Sequence, residues 1–123
     1  MKAVRIHRRG TPEVMMLEDA DVPQPGAGEV LIKVAAAGVN QADVGQRNGH
    51  YPNLVSLPTT LGYEVAGTVA ATGPDVHGLQ RGMRVASHVE GGYAEYALAL
   101  AGETTPLPEG LSFEEAAAVP IQG

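Results

Sequence analysis

The chain has 123 residues, room for one domain, and its 44% hydrophobic and 18% charged side chains can bury a core. Eight basic against fourteen acidic side chains leave a net charge of −6, and only 4% of residues are aromatic, which together count against a nucleic-acid binder. There is no cysteine, so disulfides, thiolate catalysis and sulfur-ligated zinc are excluded.

Residues 2–7 read as the first strand, with Val4 and Ile6 on one face and Ala3, Arg5 and His7 on the other. Gly10-Thr11-Pro12 breaks it, and residues 14–18 form a second strand that turns acidic at Glu18. Pro23-Gln24-Pro25-Gly26-Ala27-Gly28 is a rigid turn. Residues 29–37 form the best strand of the chain, Val30, Ile32 and Val34 alternating with Leu31, Lys33 and Ala35; its small-residue end, through Gly38, permits close backbone approach. Asn40 is placed to cap a helix over residues 41–47, with Asp43 returning the bond and Asn48-Gly49 ending it.

Residues 50–60, with Pro52 and Pro58, read as an exposed loop. A strand over 64–72 follows, then a Gly73-Pro74-Asp75 turn, a short strand over 82–87, and a strand over 93–100 with Tyr96 and Leu98 on one face. Residues 105–108 are extended. Ser112 and Glu115 form a second capping box before a helix reaching Ala118. Sixteen glycines and nine prolines punctuate the chain too often for a helical bundle, and the pattern predicts a mostly-β barrel or sandwich with short helices. No apolar run approaches the roughly 18 residues of a membrane span, and the charged N-terminus lacks a signal-peptide core. The expectation is a cytoplasmic protein that binds neither membrane nor nucleic acid.

Gly26-Ala27-Gly28 is not a dinucleotide fingerprint, because prolines precede it, a strand follows it and the third glycine is missing. No other segment offers one, so this chain carries no nucleotide fold of its own. His7, His50, His77 and His88 form no metal-ligand spacing. Two pairs leave their readings open. Asn40 with Asp43 is either a helix cap or a polar cluster at a pocket mouth. Tyr63 and Glu64, opening an otherwise apolar strand, are either packed and paired or a phenol and carboxylate facing a cleft.

The ordered segments MKAVRIH, PQPGAGEVLIKVAAAGVNQAD, LGYEVAGTVAATGPDV, RGMRVA, GGYAEYALA and LPEGLSFEEAAAVPIQG resemble the N-terminal half of medium-chain dehydrogenase/reductases, within them the zinc-independent quinone oxidoreductases. The resemblance runs through nearly all of the chain. It implies a GroES-like domain, a partly open β-barrel with short helices, forming the substrate side of the enzyme over residues 1–123. In full-length members a Rossmann domain follows, binds NAD(P)H and carries most of a dimer contact. The expectation is thus a domain cut before that partner, inactive alone, from a homodimeric enzyme.

Zinc-dependent relatives have a cysteine where this chain has Asn40 and a histidine where it has Tyr63, so the resemblance implies a metal-free enzyme. It implies NADPH-dependent reduction of quinones or α,β-unsaturated carbonyls, with small molecules as substrates. Asn40 and Asp43 match cofactor-side positions, Tyr51-Pro52 a substrate-cleft loop, and Tyr63 and Glu64 the strand start facing the cleft. Tyr63 and Glu64 are the catalytic candidates, and Tyr51 and Tyr63 the substrate-binding ones. Residues 120–123 match the lip beside a cofactor contact. Gly45 stands where the family often has a tyrosine, and Tyr63 where several members have a smaller residue. Two other classes compete: a stand-alone GroES-like binding or self-association module, and a zinc alcohol dehydrogenase, which Asn40 and Tyr63 disfavour.

Overall fold

The computed structural model describes residues 1–117; the expected lip at 120–123 and the Ala118 end of the second helix lie outside the described residues. Within them the chain forms eight strands and two short α-helices. The strands are β1 (Lys2–Ile6), β2 (Met15–Asp19), β3 (Glu29–Ala37), β4 (Thr59–Thr60), β5 (Glu64–Thr72), β6 (Arg84–His88), β7 (Tyr96–Leu100) and β8 (Thr104–Pro106). The helices are α1 (Gln41–Asn48) and α2 (Phe113–Ala117).

Two antiparallel sheets result, one ordered β2-β1-β4 and one ordered β7-β3-β5-β6-β8. They are stitched where Ala3 bridges Ala94, the Val4 amide donates to the Tyr93 carbonyl at 2.7 Å and the Leu61 amide donates to the Val4 carbonyl at 3.2 Å. The curled sheet that this closes is the expected mostly-β, partly open barrel. Long strands β3 and β5 form its spine, with two register shifts, between Leu31 and Ile32 and between Val34 and Ala36. Such irregularities bend a strand and increase its twist.

The main core lies on one face of the larger sheet: Val30, Ile32, Val65, Val69 and Val85 are buried there, with Ala97 and Ala99 from β7. These alternate residues are why the β3 and β5 sequences hold a strand, since period-two burial fixes the register. A second cluster packs Ala116 and Ala117 of α2 onto Ala66 and Ala86. Ser112 and Glu115 cap α2, the Glu115 amide donating to Ser112 Oγ at 3.1 Å and the Ser112 amide to Glu115 Oε1 at 3.3 Å. The Arg84 guanidinium sits 4.6 Å over the Phe113 ring and clamps the helix start.

Some boundaries differ from the sequence reading. Pro12–Val14 forms a 3₁₀ turn, so β2 begins at Met15, since proline favours a helical start and supplies no ladder donor. Residues 93–95 leave β7 to bond with β1. On β1 the expected face is corrected: Ala3 and Ile6 are buried while Val4 is only half-buried. β1 changes neighbours along its length, meeting Ala94 at Ala3 and Thr59 at Ile6, so simple alternation fails.

Candidate functional site

The site forms where β3 ends, α1 begins and β5 starts. Asn40 is the extended N-cap of α1 and makes the expected capping box with Asp43; the Asn40 amide donates to Asp43 Oδ2 at 2.9 Å. Asn48 is the last helical residue, and Gly49 closes the helix in the left-handed conformation with φ of 87°.

The Asn40 carboxamide also donates from Nδ2 to Glu64 Oε1 at 2.9 Å. Glu64 is 0% exposed and lies under the end of β3. A Cβ on Gly38 would stand 2.0 Å from Glu64 Oε1, so the small-residue end of β3 is where the buried carboxylate fits. Nδ2 is the only donor group of an asparagine side chain, so this bond fixes which way the carboxamide points.

Asp43 is buried and fully engaged. Besides the Asn40 amide, Oδ2 accepts from the Tyr93 hydroxyl at 2.9 Å, and Oδ1 accepts from the Gly62 amide at 3.1 Å. One carboxylate thus ties α1 to the turn before β5 and to the segment before β7. Burial, then the hydrogen bond to Asp43, pushes the Tyr93 phenol far above its ordinary value.

Tyr63 lies in the bend just before β5, and Glu64 is the first residue of the strand. Glu64 goes inward, while Tyr63 is half-buried and stacks on His88, with ring centroids 6.2 Å apart and planes 19° apart. Burial raises the Tyr63 phenol above its ordinary range, with the Asp43 carboxylate adding to the effect and Gln46 opposing it. Tyr63 therefore remains a neutral donor at physiological pH. It lines a cavity of about 190 Å³ together with Gln46, Val55, Thr60, Leu61 and Glu90.

Tyr51 is exposed on the 50–58 loop and folds against α1, where its amide donates to the Gly45 carbonyl at 3.3 Å. A Cβ on Gly45 would come 2.8 Å from the Tyr51 Cβ. The missing side chain at position 45 is what lets Tyr51 lie there.

The structure joins Asn40, Asp43 and Glu64 by hydrogen bonds, places Tyr63 on the cavity beside Gln46, and sets Tyr51 on the loop against α1. Three participants had no local signal in the sequence: Tyr93, His88 and Arg9, whose Nε donates to the Gln46 carbonyl at 2.9 Å. Tyr93 meets Asp43 across 50 positions of chain, and His88 is found only through β5–β6 pairing. Gln46 could have been noticed, since it lies three residues beyond Asp43 and so on the same helix face. The donor set does not suit a zinc ion: Asn40 presents an amide N–H to Glu64 and Tyr63 a protonated phenol. Among the described residues no three His, Cys, Asp or Glu side chains gather as metal ligands. No helix among them is long and apolar enough to cross a membrane.

A curled antiparallel barrel with a capped helix at the mouth and a buried carboxylate beneath it defines a GroES-like domain. The chain belongs to the alcohol dehydrogenase GroES-like domain family, whose model matches residues 26–109. It is 44% identical over 124 aligned residues to quinone oxidoreductase of Rattus norvegicus, an alignment covering 98% of this chain and 38% of that protein. Among solved structures it resembles a mycobacterial quinone oxidoreductase, with a TM-score of 0.89 and 41% identity over 96% of this chain and 37% of the other. It also resembles the Escherichia coli quinone oxidoreductase complexed with NADPH, with a TM-score of 0.91 and 33% identity over 97% of this chain and 37% of the other. The chain thus spans little more than a third of the length of these relatives.

Proposed function

We propose that this chain is the substrate-side domain of a zinc-independent, NADPH-dependent oxidoreductase that reduces quinones or α,β-unsaturated carbonyls. The observation that carries the reading is the Asn40–Glu64 pair, an oriented amide at a helix N-terminus, in a chain aligned almost end to end with quinone oxidoreductases. Asn40, with exposed Val39 beside it, offers a polar amide next to an apolar side chain, a pairing that suits a nicotinamide amide and ring.

NADPH would supply the hydride, and the chain's own residues would supply placement and electrostatics. Asn40 orients the cofactor-side contact, and Glu64, closed off from solvent, acts as a positioning residue that fixes Asn40. Tyr63 is the catalytic candidate, a neutral hydrogen-bond donor for the carbonyl oxygen as negative charge develops there. Asp43 holds these parts in register, and Tyr51 walls the substrate side. A conjugated carbonyl needs less polarisation than an alcohol–aldehyde pair, so a reaction run on hydrogen-bond donors alone is chemically coherent. A Rossmann domain in the same polypeptide would hold most of the cofactor and carry the contact of a cytoplasmic homodimer, and residues 1–123 alone would be inactive.

The test is NADPH oxidation dependent on added quinone or enone, by the oxidoreductase that carries this sequence. Turnover is expected with the complete enzyme, and Asn40→Ala should lower kcat/KM by about 10- to 100-fold, the equivalent of one positioned hydrogen bond. No turnover with any conjugated carbonyl would end this reading. A binding module is the second reading, favoured by an apolar cleft of about 580 Å³ between β8 and α2, lined by Pro106, Leu107, Pro108 and Leu111. The gene's downstream codons separate the two: a G-x-G-x-x-G after a strand supports the enzyme.

A further inference from the structure

We propose that Gln46 is a positioning residue for substrate, a clamp that holds the 50–58 loop as a fixed wall of the cavity onto which Tyr63 opens. The inference rests on the functional reading above and assigns that site a part it does not yet contain.

Gln46 is only 1% exposed, and a buried carboxamide is tolerated when its donors and acceptor are met. Here they are met almost entirely by the loop. Nε2 donates to the Asn53 carbonyl at 2.7 Å, and Oε1 accepts from the Val55 amide at 3.1 Å. Arg9 closes the arrangement from the far side. Its Nη2 donates to the Val55 carbonyl at 2.7 Å and to Gln46 Oε1 at 3.4 Å, and its Nε donates to the Gln46 carbonyl at 2.9 Å.

Residues 50–58 form no helix or strand, so ladder bonds do not set their path. Side-chain bonds from α1 and Arg9 do so instead. The helix grips the loop twice: Gly45 receives Tyr51, and Gln46 receives Asn53 and Val55. Gln46, Val55 and Tyr63 then face one cavity of about 190 Å³. Releasing the clamp would let the wall opposite Tyr63 move, and a carbonyl placed against a mobile wall binds less well. The cofactor side, built on Asn40, is held by Glu64 and Asp43 and makes no hydrogen bond to the loop among the described contacts. The expected signature is therefore a change in quinone binding with cofactor binding preserved.

Gln46→Met keeps the length of the side chain and removes every polar contact. In the complete oxidoreductase, KM for the quinone should rise about 5- to 20-fold, with KM for NADPH changing less than about twofold. In the 123-residue chain, exchange of the Val55 amide should accelerate about tenfold or more while the Val65 amide is unaffected. If Gln46→Met does not fold, Arg9→Met loosens the same loop from outside the core and is read in the same two ways. Unchanged quinone KM and Val55 exchange, beside a mere fall in thermal stability, would overturn the clamp. Absence of turnover in the unsubstituted enzyme would instead overturn the functional reading.

Discussion

Asn40 Nδ2 lies 2.9 Å from Glu64 Oε1, a contact between residues 24 positions apart that turns a helix cap into an oriented donor. The carboxylate is sealed from solvent and cannot meet a substrate from where it sits. It bonds to the site through Asn40. Glu64→Ala should destabilise the chain by about 1–3 kcal/mol, because it leaves the partly buried Asn40 amide without its acceptor. Glu64→Gln keeps an acceptor oxygen and should cost less. Urea unfolding of the two variants checks the order, and equal losses would contradict it.

Gly38→Ala provides an independent approach to the same pair. The new methyl group would fall on the Glu64 carboxylate, 2.0 Å from Oε1, in a site with no room to yield. Overpacking of this kind costs about 1–3 kcal/mol. The displaced carboxylate would also release Asn40, so activity of the complete enzyme should fall further than stability alone explains. A variant that unfolds at the wild-type urea midpoint would show that the carboxylate has somewhere else to go.

Tyr93 gives the fold a dependence on alkaline pH. Its folded phenol is held above the ordinary value of 10.0 by burial and by Asp43, and Tyr63 is shifted in the same direction. A raised folded pKa means that the folded state keeps a proton the unfolded chain has already lost. The stabilisation is complete below about pH 10 and drains away as pH climbs from there toward the folded value. The urea midpoint should therefore fall between about pH 9 and pH 11. Tyr93→Phe should be less stable at neutral pH by about 1–2 kcal/mol, from the Asp43 oxygen left short of a donor, and should show a shallower alkaline decline. Parallel pH profiles for the two proteins would contradict the assignment.

How much of this was legible depended on the range of the interaction. β3 and β5 could be read to the residue, because β-branched side chains alternate between firm turn signals. The capping residues of both helices were equally plain, since a cap is an affair of four consecutive positions. Asn40 and Asp43 could thus be singled out, but not what they touch. The partners Glu64, Gly62 and Tyr93 arrive from distant segments of the chain, and no local pattern announces a contact across the barrel. The inward face of β1 was missed for a related reason. Alternation assumes one pair of neighbours, and β1 has three.

Tyr63→Phe tests the proposed donor directly. It keeps the stack on His88 and removes only the hydroxyl. In the complete enzyme kcat should fall about 100- to 1,000-fold, the range for loss of one donor to a developing oxyanion, with KM for NADPH unchanged. An undiminished kcat would move the donor role elsewhere.

Removal of metal should have no effect. The complete enzyme dialysed against a strong chelator should keep its quinone-dependent rate, and elemental analysis should find less than about one zinc per ten chains. Stoichiometric zinc, or activity restored only by adding it, would refute the metal-free reading.

Helix α2 seats its two buried residues, Ala116 and Ala117, on the methyl groups of Ala66 and Ala86, with Phe113, Leu107 and Leu111 packed around them. Contact that thin makes the seat sensitive to thickness. A valine or leucine at any of the four positions would act as a shim under one end of the helix and tilt it. The tilt would also press on Ala36, Leu107 and Leu111, which pack around the same seat, so the end of the barrel beside α2 would have to repack with it.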